Sequence, residues 1–323
     1  MARLIFSLVL VVFGMGAGYC FRLAIKRRNL GIPVEKTRKM LQRVALLVLN
    51  PVAILGATWV ANIQDIKIAA MPVLGVTALF CGGMTAYAGS RFLKLSRQQT
   101  GSFVVCGGFT NIGSLGALFC FIFLGEKGFA LVPFYKLFEE LIYYAVGFPI
   151  AKSFSDDASG NRPFIRRLAS AATDIFVVTA VLSILTGLLL NLSGVQRPQV
   201  YADINAILIP LAALLLLVSI GMAMQFSSVR QYFKPALIIC SIKFVIVPFL
   251  VVSIGYGLGL GNIDSGLPLK VVMILSAMPV GFIAMVPPTI YRLDIDIANA
   301  CWLLTNGLLV LIIPILAFLL GQM

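Results

Sequence analysis

The chain has 323 residues, 60% of them hydrophobic and 11% charged, and its mean hydropathy is +1.02. A soluble domain of that composition would not stay dispersed, so the solvent is lipid and the chain is an integral membrane protein. The net charge of +13 does not mark a nucleic-acid binder, because no basic tract with interleaved aromatics lies outside the apolar runs.

Charged residues gather in short segments between apolar runs, which predicts an all-α protein; a barrel would alternate strictly over segments of about ten residues. At about 20 residues per span, ten transmembrane helices follow in chain order: 4–24, 40–60, 68–90, 102–124, 129–151, 173–192, 204–226, 235–259, 269–290 and 297–320. The first run has no cleavage site and reads as a helix, not a removed signal. Six cysteines (Cys20, Cys81, Cys106, Cys120, Cys240, Cys301) fall in or beside the runs without metal-ligand spacing. They read as small buried hydrophobes.

The basic residues orient the spans. Odd-numbered loops with their helix ends hold eighteen of the 25 Lys and Arg, whereas the opposite side holds Arg3, Lys67, Lys127, Arg197 and Lys270. The positive-inside rule then places odd loops in the cytoplasm and both termini outside the plasma (inner) membrane.

The longest polar loop splits the chain into a first five-helix repeat (1–151), a cytoplasmic linker (152–172) and a second repeat (173–323). Five is odd, so the repeats are inverted. Helix 2 carries Asn50-Pro51 and helix 7 carries Pro210 at a comparable place. Helix 4 carries GGFTNIGSLG (Gly107–Gly116) near mid-span, and helix 9 answers with AMPVG (Ala277–Gly281) and Pro287-Pro288. Paired, interrupted spans point to a transporter's binding site. Freed backbone groups cost several kcal/mol each in lipid, so such breaks survive only inside protein or beside a polar cavity. Two broken helices crossing would present unpaired N–H groups and positive dipole ends, which suit a small anion.

Candidate substrate contacts are Thr110, Asn111, Gly113 and Ser114 in helix 4, and Met278, Pro279 and Gly281 in helix 9. The competing reading gives the glycines to close helix packing and the polar side chains to interhelical bonds. Asn306 in helix 10 either lines the cavity or bridges helices. Lys136, Glu139 and Glu140 stand at i, i+3 and i+4, so both carboxylates reach one ammonium. Ionisable groups inside a span are costly, and these three, with Lys243 of helix 8, are candidates for ion coupling or charge compensation. A static ion pair is the alternative for the first three. For Lys243, whose partner must come from another helix, the alternative is a cap on helix-break carbonyls.

The chain resembles the auxin efflux carrier family, within the bile-acid/arsenite/auxin transporter group. The resemblance rests on LNPVAILGATW, GGFTNIGSLGAL and FLGEKGFALVPFYKLFEELIYYAVG in the first half. In the second it rests on LTGLLLNLSGV, IPLAALLLLVSIGMAM, SIKFVIVPFL and VVMILSAMPVGFIAMVPPTIY. It implies helices 4 and 9 broken and crossed, a scaffold of helices 1, 2, 6 and 7, and a moving domain of helices 3–5 and 8–10. It further implies elevator-like alternating access, a homodimer through the scaffold, and small organic anions as substrates. The crossover asparagine of the plant carriers is matched in helix 4 and replaced by Met278-Pro279 in helix 9. The short central loop is of bacterial type.

The function expected is secondary transport of a small organic anion, with a proton, sodium or neither as the coupling ion and no cofactor. A transporter-like sensor is the alternative, although such proteins usually carry a soluble output domain and this chain ends just after the last run. An enzyme is not expected: the chain contains no histidine, which excludes His-based triads and zinc sites.

Overall fold

The computed structural model describes residues 2–28, 31, 33–61, 65–155, 173, 175–224, 226 and 229–322. Most of the expected linker, with Arg162, Arg166 and Arg167, lies outside the described residues. The protein is helical throughout: the described residues hold no strand, only an isolated bridge between Thr110 and Val280. Among them, seven helices are long and apolar enough to cross a membrane, as expected of a multi-pass membrane protein.

In chain order the helices are α1 (Ala2–Arg28), α2 (Val34–Trp59), α3 (Lys67–Phe92), α4 (Arg97–Gly108) and α5 (Ala117–Tyr135). Then come α6 (139–153), α7 (Ile175–Leu192), α8 (Val200–Ala223) and α9 (Phe233–Gly257). The last three are α10 (Leu267–Ser276), α11 (Val286–Ile290) and α12 (Ile295–Gln322).

Three of these helices widen into a π turn just ahead of a proline. The turns are Ala45–Leu49 before Pro51, Tyr143–Gly147 before Pro149, and Ile242–Ile246 before Pro248. Proline has no N–H to donate and its ring clashes with the carbonyl four residues back. A one-residue bulge upstream relieves both problems without ending the helix.

The chain divides into two compact units. The first comprises Met1–Gln64, Ser114–Pro133 and Ile175–Met224. Here α1 lies against α8 with almost no side chain between them: a Cβ on Gly18 would sit 2.0 Å from the Val218 carbonyl oxygen, and one on Gly221 2.0 Å from that of Met15. Close approach through small residues is how helices associate where lipid removes the hydrophobic drive. Helix α2 packs on α7, and Asn191 Nδ2 donates to the Trp59 and Ala61 carbonyls at the end of α2. Cys20, expected to be buried, is exposed on α1; the other five cysteines are buried.

The second unit comprises Asp65–Gly113, Phe134–Asp174 and Gln225–Met323. Helix α4 starts where Ser96 and Gln99 close a capping box, each side chain bonding the other's backbone N–H. It packs along α3, where Gly82 and Gly107 meet so closely that a Cβ on either would overlap the other's carbonyl. The packing reading therefore holds for Gly107. The start of α12 is capped by Asp294, which accepts from the Ile297 N–H and, on its other oxygen, from Gln99 and Tyr232. Burial, then the facing Asp294, pushes the Tyr232 phenol above its usual value, so it remains a donor.

One expected span is not a continuous helix. The run 129–151 breaks at Lys136–Phe138, between the end of α5 and the start of α6. Lys136 therefore lies in a turn and the two glutamates open the helix after it, instead of all three lining one helix face.

Candidate functional site: paired helix breaks in the second unit

Helix α4 stops at Gly108, the chain runs extended through Phe109, and a π turn follows at Ile112–Gly116. Helix α10 stops at Ser276, and the chain resumes as a short 3-10 turn, Phe282–Met285, leading into α11. The two interruptions pair antiparallel at Thr110 and Val280. The Asn111 N–H donates to the Pro279 carbonyl at 2.9 Å and the Gly281 N–H to the Phe109 carbonyl at 3.1 Å. Neighbouring helices supply the remaining partners. Thr110 N–H donates to the Tyr143 hydroxyl at 2.9 Å, Val280 N–H to Thr305 Oγ1 at 3.2 Å, and Asn306 Nδ2 to the Val280 carbonyl at 3.2 Å. The N–H groups of Thr110, Asn111, Val280 and Gly281 and the carbonyls of Phe109, Pro279 and Val280 thus find partners within the protein, as a break at membrane depth requires. Gly281 is fixed by this contact, because a Cβ there would lie 2.8 Å from the Thr110 carbonyl oxygen.

Charged groups converge on the same place. Lys243, second residue of the π turn in α9, is 1% exposed, and its Nζ donates to Thr110 Oγ1 at 2.6 Å. It makes no ion pair with any described carboxylate, although an ammonium carries three donors. Glu139, 5% exposed, sits between Lys136 Nζ at 3.4 Å and the Tyr143 hydroxyl, which donates to it at 2.7 Å. Glu140 reaches Lys136 at 4.0 Å. Lys136 Nζ also lies against Gly113, 2.9 Å from where a Cβ would be. The Tyr143 ring packs on Phe109 with centroids 4.1 Å apart. An apolar groove of about 380 Å³ between α3, α4 and α6 is lined in part by that same pair of rings. Chemically, this is a cluster of two ammonium and two carboxylate groups, of which Lys243 and Glu139 are desolvated and bonded to one helix break through Thr110 and Tyr143.

Most of the residues singled out in the sequence come together here: Thr110, Asn111, Gly113, Pro279, Gly281, Asn306, Lys136, Glu139, Glu140 and Lys243. Asn306 bonds the Val280 and Trp302 carbonyls through its amide nitrogen, while its buried oxygen has no partner among the described residues. Met278 is fully buried. Ser114 falls in the first unit. Two residues were not foreseen. Tyr143 bonds both Thr110 and Glu139, and Thr305 supplies the acceptor for Val280. For Tyr143 a signal existed: Pro149 marks a π turn upstream, and such bulges concentrate at functional sites.

The first unit holds a separate polar cluster. Arg197 forms a bidentate pair with Glu126 and donates to the Gly56 carbonyl at 2.8 Å. Asn205 donates to the same carboxylate and to the Ala53 carbonyl. Glu126 follows Gly125, which takes φ 72° and turns the chain between two helical stretches.

No protein-family model matches the chain. It is 23% identical over 287 residues to a protein of Methanothermobacter thermautotrophicus described as an uncharacterized transporter, covering 88% of this chain and 90% of that one.

Proposed function

We propose that the protein is a secondary transporter that moves a small organic anion, a carboxylate, across the plasma membrane without altering it. The observation that carries this reading is the buried Lys243 ammonium bonded to Thr110 where the two helix breaks pair. A buried ammonium without a direct ion pair to a described carboxylate is costly in lipid and defaults to a functional role, and an arriving anion can take up its remaining N–H donors. The similarity to an archaeal protein described as a transporter, along nearly the whole length of both chains, supports the same class. In this reading the ten helices form two inverted five-helix repeats of the auxin efflux carrier type. The scaffold of helices 1, 2, 6 and 7 pairs two copies, and helices 3–5 and 8–10 move as an elevator. Lys136, Glu139 and Glu140 compensate charge as the anion enters and leaves.

The test is flux in proteoliposomes with a panel of radiolabelled carboxylates. Saturable uptake of at least one, lost in Lys243→Met, supports the reading. A carboxylate that shifts the melting temperature but never crosses would favour the sensor, and neither binding nor flux across the panel would remove the anion reading.

A further inference from the structure

The four charges beside the break balance: Lys243 and Glu139, both buried, and Lys136 and Glu140, both partly exposed. A monoanion joining them leaves one uncompensated negative charge in a low-dielectric site, which is expensive. One proton on one of the carboxylates removes it. Of the two, Glu139 is the one wired to the break. Its Oε1 accepts from the Tyr143 hydroxyl at 2.7 Å, and the same hydroxyl lies 3.3 Å from the Thr110 carbonyl oxygen and accepts from the Thr110 N–H.

A phenol has one proton to donate and two lone pairs. With Glu139 ionised, that proton points at the carboxylate. With Glu139 protonated, the acid O–H donates to the phenol oxygen and the phenol proton turns to the Thr110 carbonyl, gaining that carbonyl a hydrogen bond. Glu139 is faced by Lys136 from the turn, by Glu140 and Tyr143 from α6, by Tyr135 from α5 and by Lys243 from α9, with Cys106 of α4 and Cys81 of α3 next to that lysine.

We infer that the anion is carried together with one proton, bound by Glu139, and that Tyr143 is the positioning residue that transmits this protonation to Thr110. The proton comes from bulk water on the side of entry and returns to bulk water on the side of release; no bond of the anion is made or broken. This rests on the reading of the site as an anion carrier.

The test measures proton and anion movement together in proteoliposomes holding a trapped pH dye, with each carboxylate that the flux panel finds to be carried. One proton should enter per anion, and uptake should rise as the outside is acidified. In Glu139→Gln the proton-to-anion ratio of whatever flux remains should fall to near zero, and Tyr143→Phe should displace the pH profile. Anion flux without protons in the wild type, or an unchanged ratio in Glu139→Gln, overturns the inference while leaving anion transport standing. If no carboxylate moves, it is the carrier reading that fails. Infrared titration of the purified full chain then decides the Glu139–Tyr143 link. The carboxylic-acid band lost in Glu139→Gln should titrate with the same midpoint as the phenol band lost in Tyr143→Phe. Independent midpoints overturn it.

Discussion

Lys243 sets two demands against each other at a single residue. Its side chain fills a buried space and its charge has no carboxylate partner, so stability alone would favour an apolar replacement of similar length. Lys243→Met is expected to leave the melting temperature little changed, because the desolvation cost it removes is set against the charge it leaves on the nearby carboxylates while little volume is lost. The same change should cost about 2–5 kcal/mol of anion affinity, the usual loss when one partner of a buried charge pair is deleted. Thermal unfolding and flux measured on the same preparation separate the two effects. A falling melting temperature with flux intact would make Lys243 a structural cap instead. Gly281 makes the opposite case. Its absent Cβ leaves room for the Thr110 carbonyl, so Gly281→Ala forces the paired segments apart and should cost about 1–3 kcal/mol, the range for overpacking a tight contact. Gly113→Ala is the control: it meets only the end of the flexible Lys136 side chain and should leave the melting temperature within a degree or two.

At the scale of elements, prolines determine which way the functional side chains face. The bulge ahead of Pro248 adds one residue to a turn of α9, and Lys243 sits in that bulge. Pro248→Ala restores an N–H and removes the ring clash, so the helix is expected to return to α geometry. One residue is about 100° of rotation, enough to carry Lys243 away from Thr110. The expected outcome is a protein at least as stable as the wild type, since proline disfavours a helix interior by about 3 kcal/mol, with flux lost. Stability and flux falling together would mean that the bulge persists without its proline. In the first unit, the Glu126 clasp fixes the turn at Gly125. Arg197→Ala leaves that carboxylate largely buried and unpaired, and should destabilise toward the lower end of the about 3–5 kcal/mol seen for broken buried pairs. Arg197→Lys should not rescue it, because a point charge cannot reproduce the bidentate fork. Denaturant or thermal unfolding checks both variants.

The same elements show what the sequence makes legible. Helix breaks announce themselves by composition, since glycine and proline at mid-span conflict with local propensity. The limits of α3, α9 and α12 agree with their apolar runs to within about three residues because lipid enforces span length. The turn at Lys136–Phe138 contains neither glycine nor proline, so its own composition does not announce it. The Glu126–Arg197 clasp joins residues 71 positions apart, beyond any helical spacing. Tyr143 reads as one more aromatic in an apolar run until its hydroxyl is placed between Thr110 and Glu139.

At the scale of the whole molecule, the distribution of charge predicts an orientation. Within the second unit, Arg97 bonds the Ser153 carbonyl, and Gln99, Tyr232 and Asp294 meet at one carboxylate oxygen. These contacts bring the start of α4, the end of α6, the segment before α9 and the start of α12 to one end of the unit. Arg91, Lys94, Arg97, Lys152, Arg230, Lys234 and Arg292 all lie at or beside these segments. The helix starts away from that end hold Lys67 in α3 and Lys270 in α10, the latter donating to the Ser265 carbonyl. An asymmetry of that size in short loops sets topology, because basic segments resist translocation. The crowded end is therefore expected in the cytoplasm, and α12, which starts there, ends outside. In intact cells, a membrane-impermeant maleimide should label Gln322→Cys, with Cys20 replaced by serine, and should label Lys94→Cys only after permeabilisation. The reverse pattern would invert the protein and put the entry side for anion and proton on the opposite face of the membrane.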